Sequence, residues 1–211
     1  MTDYLGPERS EDHSDALAVS WRVAFGVDND KRPDIIWCVE TGLPRLFPQF
    51  ALLPRADGDL PDDFALADYD PPRIEIRSSV YSAAKAHHPR ARFILAHELG
   101  HVVSHDRAYR KFLKDGVQER KRIKRMSLES QADEFALHFL LPEHVIGKMT
   151  SIGQVMFQCD VTYSLAVRAG LLCGIRPKRP LLPYEMIDIQ REEVEDFSEF
   201  TGRPRKSPLS V

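Results

Sequence analysis

The sequence predicts an α+β fold, with strands and turns in its flanks and helices in its middle. Two observations carry this. Seven of the 15 prolines fall between Pro33 and Pro72 and five between Pro177 and Pro208, whereas Arg90 to Arg176 holds only Pro142. Proline lacks an amide donor and breaks helix interiors, so long helices are permitted chiefly in that middle stretch. The hydrophobic period also changes: Ile74 and Ile76 alternate with charged residues, while helical spacing sets in beyond Arg90. At 211 residues and 24.1 kDa the chain builds one full core with a small appendage, and falls short of two ordinary domains.

Each element follows in order. Residues 1 to 14 are polar and expected to fray. Ala16 to Phe25 (ALAVSWRVAF) suits a short amphipathic helix that stops near Gly26. Ile35 to Val39 (IIWCV) is expected to be a buried strand. Residues 54 to 72 hold six Asp, one Arg and four Pro, and suit a surface loop. Ile74 and Ile76 mark a half-exposed strand. Arg90 to His105 and Ser127 to Leu141 are expected helices, the second closed by Pro142. Val161 to Leu172 is a third. Residues 185 to 199 contain seven acids and one Arg, and with GRPRKSPLSV they suit a mobile tail. The expected units are an N-terminal segment with a short helix (1–30), a main domain (31–176) and a Pro-rich, acidic C-terminal tail (177–211).

Composition excludes several classes. Hydrophobic residues at 43% and charged residues at 29% are the balance of a globular protein, not of a disordered chain. A net charge of -3 and a pI near 6.2 argue against a basic nucleic-acid binder. No apolar run approaches the ~18 residues of a membrane span, so no membrane partner is expected. The opening MTDYLGPERSEDHSD is polar and acidic, and no secretory signal peptide is expected there. Three cysteines, Cys38, Cys159 and Cys173, form no C-x-x-C pair, which disfavours a disulfide framework and points to a reducing cytoplasm.

The chemistry resides in FILAHELGHVVSH, which contains His97-Glu98-Leu99-Gly100-His101. Histidines at i and i+4 lie about 40° apart round a helix and roughly 6 Å apart along it. Both imidazoles then reach one tetrahedral metal. Glu98, one residue further round, is offset from ligation but placed to accept a proton from a metal-bound water. Ala91, Leu95, Leu99 and Val102 form an apolar stripe on the opposite face, so the helix buries its back and turns its histidines toward a cleft. The bland alternative is an amphipathic helix with two hydrogen-bonded histidines.

A catalytic zinc needs a third protein ligand and an open position. His105 lies roughly 12 Å along the axis from His97, too far to share the metal. It is either a helix-end histidine near the C-terminal dipole or a substrate contact. The metzincin spacing also fails, because Ser104 and Arg107 stand where Gly and His are required. Glu129 is the better candidate. Ser127 can cap its helix, and Asp133 follows at i+4 on the same face, where it can fix the tautomer of a ligand histidine. Ala136 and Leu140 continue that face toward the first helix. Spacing alone leaves Glu129 equally able to be an acidic residue that favours the helix dipole.

FILAHELGHVVSHD followed by ESQADEFALHFLLPEHV resembles the ImmA/IrrE-type metallopeptidases. Their pattern is an apolar lead into H-E-L-G-H, then E-x-x-A-[ND]-x-F-A, then a Leu-Leu-x-Pro type end. The end here is Leu140-Leu141-Pro142, where Met commonly precedes the Pro. The resemblance covers roughly residues 70 to 145 and extends weakly to Val161 to Leu172. It implies a zincin-like fold with a small mixed sheet and a central H-E-x-x-H helix. It implies His97, His101 and Glu129 as zinc ligands in the gluzincin manner, Glu98 as general base and Asp133 as a partner of a ligand. It also implies a zinc-dependent endopeptidase that cuts a helix-turn-helix repressor or antitoxin, in stress response or mobile-element regulation of transcription. No helix-turn-helix unit is apparent in this chain, so the repressor is expected to be a separate protein.

Several features sit around this centre. The oxyanion needs a donor besides zinc, and Tyr81, His105, Tyr109 and His144 are the candidates. The strand around Arg73 to Ser78 is expected to be a sheet edge that holds extended substrate. Residues 106 to 125 carry nine Lys or Arg against three acids, either as a solvated connection or as a patch that steers an acidic or DNA-bound partner. Direct nucleic-acid binding is disfavoured by the net charge. His138 falls opposite Glu129 and is expected at the surface or in packing; His87 and His88 precede Pro89 in a loop. Manganese can replace zinc at such a site. The alternative function is a non-catalytic zincin-fold module that regulates a partner by contact, which the base beside the metal argues against.

Overall fold

The computed structural model describes residues 10–104 and 127–178. The chain opens with helix α1 (Glu11–Phe25), capped by the Ser10 side chain and ended by Gly26 in the left-handed region at φ 72°. A glycine there stops the helix without a Cβ penalty. The helix thus begins inside the stretch expected to fray, because Ser10 supplies the acceptor that the first turn needs.

Ile35 to Leu46 is a continuous helical run, α2, made of an α turn (Ile35–Trp37), a π turn (Cys38–Gly42) and a second α turn (Leu43–Leu46). The expected strand over Ile35 to Val39 is therefore wrong. Asp34 caps the run by accepting from Trp37 N at 3.0 Å. Ile35, Cys38, Val39, Gly42 and Leu43 are all buried, a helical stripe that β-branched composition concealed.

The sheet has three strands, β1 (Ala51–Arg55), β2 (Ala65–Tyr69) and β3 (Pro72–Arg77), in the order β1-β3-β2. It is mixed: β1 runs parallel to β3 and β2 antiparallel to it. Two expectations fail here. Residues 54 to 72 are a loop only in part, since β1 and β2 claim both ends. The strand at Arg73 to Ser78 is the centre of the sheet, not an edge. Ile74 and Ile76 are fully buried because both neighbours pair with β3. Arg77 shapes the intervening loop. It donates to the carbonyls of Leu60, Asp63 and Pro61 and lies over the Phe64 ring, 4.9 Å from its centroid.

Helix α3 (Ser78–Lys85) turns through His87 and His88 into the long α4 (Pro89–Ser104). Then come α5 (Leu128–Leu140, capped by Ser127), α6 (Glu143–Ile146), α7 (Ile152–Cys159) and α8 (Tyr163–Leu172, capped by Thr162). Helix α4 is the centre of the molecule. It packs against β2 and β3 on one side and α5 on another; α5 carries α1, and α7 pairs with α8. The apolar stripe Ala91, Leu95, Leu99 and Val102 is buried as its spacing requires.

Two arginines are buried within this core. Arg92 of α4 donates to the carbonyls of Cys159 (2.9 Å), Asp160 (2.6 Å) and Pro33 (3.0 Å). Arg22 of α1 donates to the carbonyls of Phe139, Asp28 and Asp30. Burial lowers both side chains below the ordinary guanidinium value, and the surrounding carbonyls keep their protons paired. They tie the segment between α1 and α2 to the helical core. The basic run 106–125 and, from residue 179, the acidic tail lie outside the described residues.

Candidate metal centre

Helix α4 presents His97 and His101 on its one partly open face, and α5 lays its first turn beside them. The helices approach closely at Gly100. A Cβ there would stand 3.0 Å from Phe135 Cδ1, 3.2 Å from Ala132 Cα and 3.3 Å from the Ala132 carbonyl oxygen. That contact lets Glu129 and Asp133 reach across. Ser127 accepts from Ser130 N at 3.2 Å, which fixes the turn that carries Glu129.

Donor atoms of three residues converge. His97 Nε2 lies 3.0 Å from His101 Nε2 and 3.3 Å from Glu129 Oε2; His101 Nε2 lies 3.5 Å from Glu129 Oε1. The edges of a tetrahedron with bonds of 2.0–2.1 Å are about 3.3–3.4 Å. The spacing of the three residues therefore fits a tetrahedral zinc. His97, His101 and Glu129 form the one His/Cys/Asp/Glu group among the described residues whose donor atoms lie within 4.8 Å of one another. His97 Nδ1 stands 2.8 Å from Asp133 Oδ1. With that N–H donated to the carboxylate, the Nε2 lone pair faces the other two donors.

The electrostatics follow the same geometry. Burial pulls His97 down, but hydrogen bonds to Asp133 and Glu129 and the charge of Glu98 outweigh it and hold His97 well above its usual value. Hydrogen bonds from His101 and His97 hold Glu129 well below the carboxylate range. Glu98 is 7% exposed. Its burial pushes the carboxyl up, His97 and His101 pull it down, and the charges of Glu129 and Asp63 add to the rise. A buried carboxylate with a raised proton affinity beside a donor triad has the properties of a base.

The structure thus brings together His97, Glu98, His101, Glu129 and Asp133. Of the auxiliary candidates, Tyr81 and His144 are engaged with other partners. Tyr81 donates its hydroxyl to Glu40, and burial with that contact pushes it up to about 12. His144 lies beyond the far end of α5, roughly 18 Å along that helix from Glu129, with Nε2 2.8 Å from the Asp28 carbonyl. His105 and Tyr109 lie outside the described residues. Two contributors escaped the sequence. Gly100 carried a signal, since a mid-helix glycine costs about 1 kcal/mol and so marks a close approach. Asp63 carried none: it lies in the loop whose carbonyls Arg77 gathers, outside both motifs.

A family model described as Peptidase_M78, IrrE N-terminal-like domain, matches residues 61–155. The match supports the resemblance of this segment to the ImmA/IrrE-type family. It contains both motifs, β2, β3 and helices α3 to α6, and so the whole donor set; α1 and α8 lie outside the match. The family is one of metal-dependent peptidases, in keeping with the His-His-Glu group. No curated protein matches the chain. Among the described residues no helix is long and apolar enough to cross a membrane.

Proposed function

We propose that the chain is a zinc-dependent endopeptidase of zincin-like fold that hydrolyses a peptide bond in a specific protein substrate. The observation that supports this is the convergence of His97 Nε2, His101 Nε2 and the Glu129 carboxylate beside the buried Glu98. These three residues would hold the metal; manganese is the alternative ion. Zinc, when bound, supplies a water acidified to a pKa near 7 and polarises the scissile carbonyl. Asp133 keeps His97 in the tautomer that ligates. Glu98 takes the proton of the attacking water as the C–O bond forms. It then passes that proton to the leaving nitrogen as the C–N bond breaks.

The substrate we propose is a helix-turn-helix repressor or antitoxin, cut in stress response or mobile-element regulation. The open strand edge best placed to hold it is that of β2, which packs against α4. Arg77 N donates to the Phe64 carbonyl at 3.0 Å, so residues 64, 66 and 68 face β3, and Ala65 and Ala67 turn their backbone groups outward. Cytoplasmic location is part of the proposal.

The test mixes the zinc-loaded protein with the helix-turn-helix protein encoded nearest its gene, and maps products by mass spectrometry. A discrete cut by wild type, absent with Glu98→Gln although that variant keeps its metal, is the expected result. Cleavage by Glu98→Gln at the wild-type rate would remove Glu98 as the base. A protein that binds no zinc would overturn the enzyme reading in favour of a contact module.

A further inference from the structure

One carboxylate near Glu98 has no part in the chemistry described so far. Glu98 feels the charge of two other acids: Glu129, which belongs to the donor set, and Asp63, which belongs to neither motif. Asp63 stands two residues before β2, an edge strand that packs on α4.

Strand geometry aims its side chain. Arg77 N donates to the Phe64 carbonyl at 3.0 Å, so the β2–β3 ladder continues one residue beyond Ala65. Along β2, Ala65 is 7% exposed and Ala67 packs on the core, whereas Leu66 is 46% exposed. Side chains alternate between the faces of a strand. Positions 65 and 67 therefore face the core with α4, and the same step places Asp63 on that side, where its charge reaches Glu98. On the other face the Arg77 guanidinium covers the Phe64 ring.

The residue is fixed in place, but its charge is unpaired. Asp63 is half-buried. Among the described residues only its carbonyl is engaged, by Arg77 Nε at 2.8 Å, and its carboxylate has neither hydrogen bond nor ion pair. Arg77 is not its cation, because Nε and Nη2 are directed at the carbonyls of Leu60, Pro61 and Asp63. A half-buried carboxylate without a partner favours a cation that arrives with a ligand, and a charge-assisted hydrogen bond there is among the stronger kinds.

We propose that Asp63 is a specificity-determining residue, which receives the lysine or arginine side chain of a substrate residue beside the scissile bond. This deepens the peptidase reading and rests on it. Substrate paired with the outward amides of Ala65 and Ala67 passes Asp63 at one end of the same edge. The contacts to Arg77 hold the loop before substrate arrives, so little ordering is lost on binding.

The experiment digests capped synthetic decapeptides of mixed sequence with the zinc-loaded full chain, and reads the cut sites by mass spectrometry. Lysine and arginine should be enriched at one position within two residues of the cut. For an arginine peptide so identified, kcat/KM should exceed that of its citrulline counterpart, similar in shape but neutral, about tenfold. Asp63→Asn should bring that ratio close to one, and Asp63→Lys should favour glutamate at the same position. Each ratio is read within one enzyme, so a general effect of Asp63 on Glu98 cancels. No basic enrichment with wild type, or a ratio that survives Asp63→Asn, overturns the proposal. A preference for free over capped N-termini overturns it as well, and assigns Asp63 to the substrate's terminal ammonium. Wild type that cuts none of the peptides counts against the peptidase reading, and retention of the same library on immobilised protein then decides the subsite. Basic peptides held by wild type and released by Asp63→Asn keep a cation subsite without cleavage, and equal retention removes it.

Discussion

Gly100→Ala tests whether the spacing of two helices, rather than the identity of the ligands alone, makes the metal centre. Carbon atoms pack best at about 3.5–4.0 Å. The added methyl would meet Phe135 Cδ1 at 3.0 Å and Ala132 Cα at 3.2 Å, deficits of about 0.5 and 0.3 Å against that range. The Phe135 ring is 1% exposed and stacked on Phe139, so it has no room to swing. The Ala132 contact is backbone. Helix α5 must therefore retreat by a few tenths of an ångström, and it carries Glu129 and Asp133 with it. Metal–ligand distances tolerate only about 0.2 Å.

The energies oppose each other. Alanine gains about 1 kcal/mol of helix propensity over glycine, and overpacking a core costs about 1–3 kcal/mol. The zinc-free protein should lose roughly 0–2 kcal/mol. Zinc affinity should fall about tenfold, in the range seen when the support of a ligand is disturbed. Competition against a chromophoric chelator gives the affinity, and melting curves with and without zinc separate the two effects. Gly153→Ala is the control. It lies in α7 with nothing within 4 Å of its added Cβ, so it should gain up to about 1 kcal/mol and leave zinc binding alone. If Gly100→Ala binds zinc as wild type does and melts no lower, the close approach does not set the site.

Four further outcomes follow from the geometry. Asp133→Asn keeps the shape but removes the charge opposite His97 Nδ1, and should weaken zinc by about 10–100-fold in the same competition assay. Ala67→Pro removes an outward amide from the β2 edge, a position where a strand tolerates proline; kcat/KM on the protein substrate should drop about tenfold while zinc content stays, and unchanged cleavage would remove that edge from substrate binding. Burial pushes Cys38 up to about 12 and Cys159 up to about 11, so mass spectrometry after native alkylation near neutral pH should find label on half-buried Cys173 and not on the other two. Folded thiols that hold protons released by the unfolded chain stabilise fully below 9.0. Their contribution is lost as pH rises from there toward 11–12, so the melting temperature should decline over that window.

Legibility in the sequence tracked the range of the forces involved. Helices α4 and α5 were legible because their apolar stripes, caps and closing Pro142 are local. His97, Glu98 and His101 were legible for the same reason, since one helix turn fixes their mutual geometry. Glu129 and Asp133 needed a second helix at a known distance, and the residue that sets it, Gly100, was read only as part of the motif. The Ile35 to Leu46 run misled because four β-branched or aromatic residues outweighed a helical burial stripe. The sheet order was out of reach, since β3 takes the centre through a parallel pairing with β1 across the intervening loop and strand, residues 56–71.

Helix α5 divides its polar residues between two faces. Its Glu129 and Asp133 face α4, while Glu134 and His138 face α1 and α8. The faces are separated by Ala132, Phe135, Ala136 and Phe139, all nearly or fully buried. Such a packed helix transmits displacement better than it absorbs it.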